Sequence, residues 1–124
     1  MLEVYSTNVE VAADTAIPFS NISVKKGVTA ELSSVSAIAL NKCGVYMVSV
    51  DASTGTAATI ELSKDGILQP QAQATGTNPC FTTLVQVPNS NSACCCSSPT
   101  LLQLINTGAA ATFTDVNIVV TKVC

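Results

Sequence analysis

The side chains with the most chemistry in this chain are its six cysteines, Cys43, Cys80, Cys94, Cys95, Cys96 and Cys124. An even number of cysteines in a small chain points to disulfides formed in an oxidising place. Adjacent cysteines seldom pair with each other, because the ring they close is strained. At least some of Cys94, Cys95 and Cys96 must therefore look elsewhere in the chain or to a neighbouring copy. Cys80 is near enough in sequence to be one partner; Cys43 heads one predicted strand and Cys124 ends another. A bridge of either kind would stabilise by roughly 2–4 kcal/mol. Two other readings stay open: thiols buried and reduced, and a metal thiolate site. The metal reading lacks its usual support, because structural zinc favours Cys-x-x-Cys spacing, often with histidine, and the chain has neither.

The rest of the catalytic repertoire is thin. With no histidine, Ser-His-Asp and Cys-His arrangements are unavailable. Lys42 and Lys64 coexist with many serines, but no spacing pairs them, and both read as solvated turn residues. Eight carboxylates are present. Paired carboxylates can hydrolyse glycosides, yet sugar sites normally add aromatic platforms, and aromatics are only 4% of the chain. Asp51 and Asp115 fall at predicted strand ends, where loop carboxylates can hold calcium or serve as edge polar groups. No phosphate-cradling glycine motif occurs. The expectation is a non-enzymatic protein without a cofactor.

What positions these residues reads as β throughout. Short runs rich in Val, Thr, Ala and Ile recur between turn residues, and helical periodicity is absent. Strands are predicted near 3–5, 17–24, 29–32, 37–40, 45–52, 57–63, 71–75, 81–87, 100–106 and 116–123. That spacing suggests one sandwich or barrel spanning 1–124, with 1–16 either an N-terminal strand or the remnant of a stalk. Lys64-Asp65-Gly66 is the strongest hairpin turn, and Thr107-Gly108 opens another.

Two strands break the alternation of a half-solvated sheet. Gly44–Ala52 is apolar at Val45 and Met47 as well as at Tyr46, Val48 and Val50. Leu101–Ile105 is apolar on both faces too. Charged residues are 10% of the chain, where about 25% is usual. Low charge and two-faced strands together suggest surface covered by other copies. A net charge of −3 with five basic residues argues against a nucleic-acid partner. The start, residues 1–5, has neither the basic nor the apolar part of a signal peptide. No apolar run approaches the roughly 18 residues of a membrane span, so no membrane partner is expected.

The order of parts is more specific than any one of them. Ile17-Pro18-Phe19 precedes a Lys-Lys-Gly turn at 25–27. A short strand, Gly44-x-Tyr46, the hairpin from Leu62 to Gly66, a late Leu-x-Leu-x-Asn at Leu102, Leu104 and Asn106, and a closing strand follow. This order resembles the trimeric jelly-roll superfamily of tumour necrosis factor and the complement globular head. It is most similar to the phage and bacterial versions: fibre tips, head-fibre heads and spore-filament heads. The resemblance implies an all-β, two-sheet antiparallel jelly-roll sandwich of roughly ten strands, packed as a homotrimer. It places the Tyr46 and Leu102–Ile105 strands on the inner sheet, with Val45, Met47, Leu102 and Leu104 at the trimer interface. The chain departs from animal members in its few aromatics and no Trp, which points away from a cytokine-type receptor ligand.

The function expected from these readings is structural. The expectation is a trimeric head-fibre or decoration knob on the surface of a phage virion, with capsid or fibre-shaft protein as a partner and host surface glycan as a candidate contact. A particle made inside a cell and released at lysis would reconcile many cysteines with the missing signal peptide. The alternatives are an extracellular or cell-surface head domain of a bacterial or spore filament, and a monomeric carbohydrate-binding module.

Overall fold

The computed structural model describes residues 1–27, 30–87 and 100–123. Among them eleven strands form: β1 (Leu2–Val11), β2 (Thr15–Ala16), β3 (Asn21–Lys25), β4 (Ala30–Ser34), β5 (Ala37–Leu40), β6 (Gly44–Thr54), β7 (Ala58–Lys64), β8 (Ile67–Gly76), β9 (Cys80–Val87), β10 (Thr100–Asn106) and β11 (Ala111–Lys122). They build two sheets, ordered β3-β1-β11-β6-β9 and β4-β5-β10-β7-β8, with β2 added beside β10. All pairings are antiparallel. The expected all-β, two-sheet jelly roll is what forms, with eleven strands rather than ten.

The core follows from period-two patterning. Leu2 and Val4 of β1, Tyr46, Val48 and Val50 of β6, and Val116, Ile118 and Val120 of β11 point inward and are buried. They meet Ile60 and Leu62 of β7 and Leu102 and Leu104 of β10 in one cluster. The Tyr46 ring lies in this core while its hydroxyl donates 2.6 Å to the Lys42 carbonyl. Burying the ring therefore leaves no orphaned hydroxyl.

Three features differ from the sequence reading. Residues 2–11 form a full strand paired on both sides, by β3 and β11. The strand expected over 17–24 divides around Pro18, which cannot donate to a ladder. Ile17 and Phe19 are instead anchored singly, their amides reaching the carbonyls of Leu104 and Val35 at 2.8 and 2.6 Å, and both side chains are buried. Ser6 closes this crossing: its hydroxyl donates to the Pro18 carbonyl at 2.7 Å and accepts from the Ser20 amide at 2.9 Å.

The third difference concerns β10. It lies in the six-stranded sheet between β5 and β7, across the sandwich from β6 rather than beside it. Leu102 and Leu104 are 1% and 0% exposed inside the protomer's own core. They correct the expected interface set, because side chains already packed within one copy cannot face another. The strand reads as two-faced because Leu101 and Ile105 occupy its outer side.

The hairpin at 64–66 forms as expected. Asp65 and Gly66 sit at φ 51° and 84°, both left-handed, as the tight turn between β7 and β8 requires. Space is not the constraint at Gly66, since a Cβ there would meet nothing within 4 Å; backbone conformation is. Gly66→Ala is expected to cost about 1 kcal/mol, read as a lower urea midpoint with an unchanged slope.

Candidate assembly face on the five-stranded sheet

The outer face of the sheet β3-β1-β11-β6-β9 divides into an apolar part and an acidic part. Alternation along β6 turns Val45, Met47, Ser49, Asp51 and Ser53 outward while the residues between them fill the core. Met47 stands directly opposite Leu84 of β9 and Thr121 of β11. Met47 is 39% exposed and Leu84 60%, an apolar cross-strand pair left open to solvent. Val45 and Val119, both half-buried, flank it diagonally on the same face. Of the four residues expected at an interface, Val45 and Met47 stand on this open face; Leu102 and Leu104 do not.

Toward the other end of the same face the side chains become acidic. Asn117 of β11 lies between Tyr5 of β1 and Asp51 of β6, and Asp115 lies between Thr7 and Ser53. Asn117 Nδ2 donates to Glu3 Oε2 at 3.1 Å, and the Ser23 hydroxyl donates to Glu3 Oε1 at 2.6 Å. The Ser23 bond first, and the Asn117 bond second, hold the Glu3 carboxyl below its ordinary range. Because this folded-state value is depressed, the two bonds help the fold at neutral pH, and that help is lost as pH falls through the acid range. Asn117 Oδ1 is buried and accepts no hydrogen bond from the described residues.

Two shallow depressions border Asn117. One, of about 300 Å³, is lined by Glu3, Tyr5, Ser6, Asp115, Val116 and Asn117. The other, of about 280 Å³, brings Asp51, Asp115, Asn117, Ser53, Asn78 and Cys80 together. The two aspartates singled out for calcium thus share one depression. Among the described residues no three Asp, Glu, Cys or His side chains gather as a metal set, so the calcium reading gains no further ligand. The depressions are lined by hydrogen-bonding and charged groups.

The cysteines separate into two groups. Cys94, Cys95, Cys96 and Cys124 lie outside the described residues. Cys43 precedes Gly44, and Cys80 stands opposite Asp51 at the far end of the β6–β9 pair. At about 3.3 Å per residue the two are roughly 25 Å apart, where a disulfide needs Cα atoms within about 7 Å. A Cys43–Cys80 bridge within one chain is therefore excluded. Cys80 is exposed, and it is expected to react with a thiol reagent in native protein. Cys80→Ser should remove one natively reactive equivalent; unchanged counts would mean that Cys80 is covered.

Two antiparallel sheets with these strand orders define the tumour-necrosis-factor-like jelly roll. Two solved structures share it along nearly their whole length. The crystal structure of murine APRIL at pH 8.5 superposes with a TM-score of 0.68 at 10% identity, covering 98% of each chain. PRD1 vertex protein P5 superposes with a TM-score of 0.67 at 16% identity, covering 99% of this chain and 96% of that one. At such identities the likeness establishes the fold alone. No family model and no curated protein matches the chain. The fold that the sequence order implied thus agrees with the structure, whereas the assignment of β10 to the inner sheet does not.

Proposed function

We propose that the chain is a non-enzymatic structural protein of a virion surface, a trimeric fibre head or decoration knob. The observation that carries this reading is the open Met47–Leu84 pair on the outer face of the five-stranded sheet. An apolar, uncharged patch on a flat sheet face is costly to leave wet and is the kind of surface that another copy covers. Three supports stand beside it. Charged residues are only 10% of the chain. The absence of histidine removes the commonest acid–base group. The fold is shared with PRD1 vertex protein P5.

The reading is tested by sedimentation equilibrium on reduced and unreduced protein. A mass three times that of the 12.7 kDa chain is expected under both conditions. A monomer at micromolar concentration would sink it.

A second reading has one observation of its own. Tyr5, 37% exposed, stands over the depression that holds Glu3, Asp115 and Asn117. An aromatic ring beside carboxylate and amide groups is the chemistry of a sugar contact, so the same face suits a monomeric carbohydrate-binding module. The two readings compete for one surface. A monomer that binds on a glycan array, and loses that binding in Tyr5→Ala, would favour the second.

A further inference from the structure

The net charge of −3 conceals a strong division between the two ends of the sandwich. All five basic residues are lysines, and the strand registers bring every one to the same end. Lys25 stands opposite Leu2 at the start of β1, and Lys26 exchanges backbone hydrogen bonds with Met1. The Lys42 carbonyl caps Tyr46 near the start of β6. Lys122 faces the same Tyr46 from β11. Lys64 ends β7, and its Nζ donates 2.6 Å to the Gln86 carbonyl of β9, which ties both sheets together there.

Three carboxylates stand at or next to this end: Glu3, which also borders the acidic depression, Glu31, which pairs with Lys25 at 3.7 Å, and Asp65 of the hairpin turn. The balance at this end is therefore +2, five lysines against three acids. The opposite half holds Glu10, Asp14, Asp51 and Asp115 and no lysine. Glu61 is buried midway along β7.

Exposed apolar side chains lean the same way. Ile67, at 69%, Leu68, Leu101, Val123 and Met1 are exposed at the lysine end. Toward the acidic end the exposed apolar surface includes Tyr5, at 37%, beside Asp115 and Asn117. Apolar anchors set among charged groups with a net positive balance have the composition of a protein–protein interface.

We propose that the lysine end is a docking surface for a protein partner that presents carboxylates around an apolar depression. Clustered positive charge on an otherwise acidic molecule orients the approach, since the acidic half is repelled by the same partner. Nucleic acid and anionic lipid fit less well. They reward uninterrupted basic patches, and here Glu3, Glu31 and Asp65 interleave the lysines. The surface borders the Met47–Leu84 pair, which lies one residue in from the Tyr46–Lys122 register, but Ile67 and Leu101 stand on the other sheet, so the inference holds for one copy as for three and does not rest on the trimer. In a virion it would be the seat of the knob on its platform.

The test measures binding of four labelled probes by fluorescence anisotropy: a random glutamate–tyrosine copolymer, poly-glutamate, a DNA duplex and phosphatidylglycerol vesicles. The copolymer should bind best, with affinity that falls as salt rises. Lys26→Gln with Lys42→Gln, both exposed, should weaken both polypeptides by about tenfold or more. Ile67→Ser with Leu101→Ser should weaken the copolymer and spare poly-glutamate. Asp51→Asn with Asp115→Asn, at the far end, should weaken neither. No copolymer binding, equal or tighter binding of DNA or vesicles, or indifference to the lysine substitutions would each overturn the proposal. Trimer mass is measured separately, so either idea can fail alone.

Discussion

Asn106→Asp is expected to remove about 3–5 kcal/mol of stability at neutral pH, a large share of the roughly 5–15 kcal/mol typical of a domain. Asn106 is 0% exposed. Its Nδ2 donates to the carbonyls of Val11 at 3.2 Å and Ala109 at 3.0 Å, with Ala12 at 3.5 Å, and its Oδ1 accepts from the Gly108 amide at 3.2 Å. Its backbone carbonyl accepts from Asp14 N at 2.7 Å. One side chain thus joins the turn after β1 to the turn before β11. A carboxylate of the same shape would aim a negative oxygen at carbonyl oxygens in a site closed to water. Burial without a donor raises the pKa of a carboxyl group. Between its ordinary value near 4 and that raised value, the folded state holds a proton that the unfolded state lacks, so stability falls as pH rises. The variant should therefore recover stability on acidification, when a neutral acid can donate to one carbonyl. Asn106→Ala should lose about 2–3 kcal/mol with no such slope, because it orphans the carbonyls without burying charge. Urea unfolding at acid and neutral pH separates the two. Equal losses at both pH values in both variants would show that the amide is not the clamp.

That clamp was only half legible in the sequence. The Leu-x-Leu-x-Asn order marked Asn106 as a motif residue, but nothing local says that its amide spans two turns 95 residues apart. Patterns with a local cause were read well. Val48 and Val50 of β6 point inward as alternation requires, and Gly66 forms its turn because the constraint is a backbone angle. Gly44, at φ 140°, gives the Gly-x-Tyr pair a physical reason, since few residues other than glycine adopt that conformation. What failed depended on which strand lies beside which. Leu101–Ile105 is apolar on both faces in any sheet, so pattern alone could not choose between an inner position near β6 and its actual place between β5 and β7. The same limit hid the division of charge. Lys25, Lys42, Lys64 and Lys122 look scattered along the chain, and only the antiparallel registers gather them at one end. The acidic depression around Asn117 was partly foreseen through Asp51 and Asp115, but Glu3 and Tyr5 come to it from the first strand through a pairing no spacing reveals.

Met47→Asp is expected to dissociate the proposed trimer while leaving the protomer folded. Met47 is already 39% exposed in the single chain, so a carboxylate there meets water before assembly and costs the fold little. In a threefold assembly on this face, three such groups would be brought together and stripped of solvent. Each desolvated, unpaired charge costs several kcal/mol, and mutual repulsion adds to it. A loss of about 4 kcal/mol already weakens association about a thousandfold, so the dissociation constant should rise by at least that much. Leu84→Asp should act alike, because the two side chains are directly paired across β6 and β9. Leu68→Asp, on the opposite sheet, should leave the trimer intact, and so serves as the control for charge alone. Sedimentation equilibrium reads all three masses, and urea unfolding confirms that each protomer is folded. If Met47→Asp and Leu84→Asp keep the wild-type mass, the five-stranded face is not what the copies share. If Leu68→Asp dissociates instead, the interface lies on the other sheet, and the apolar residues that matter are those around Leu68 and Leu101.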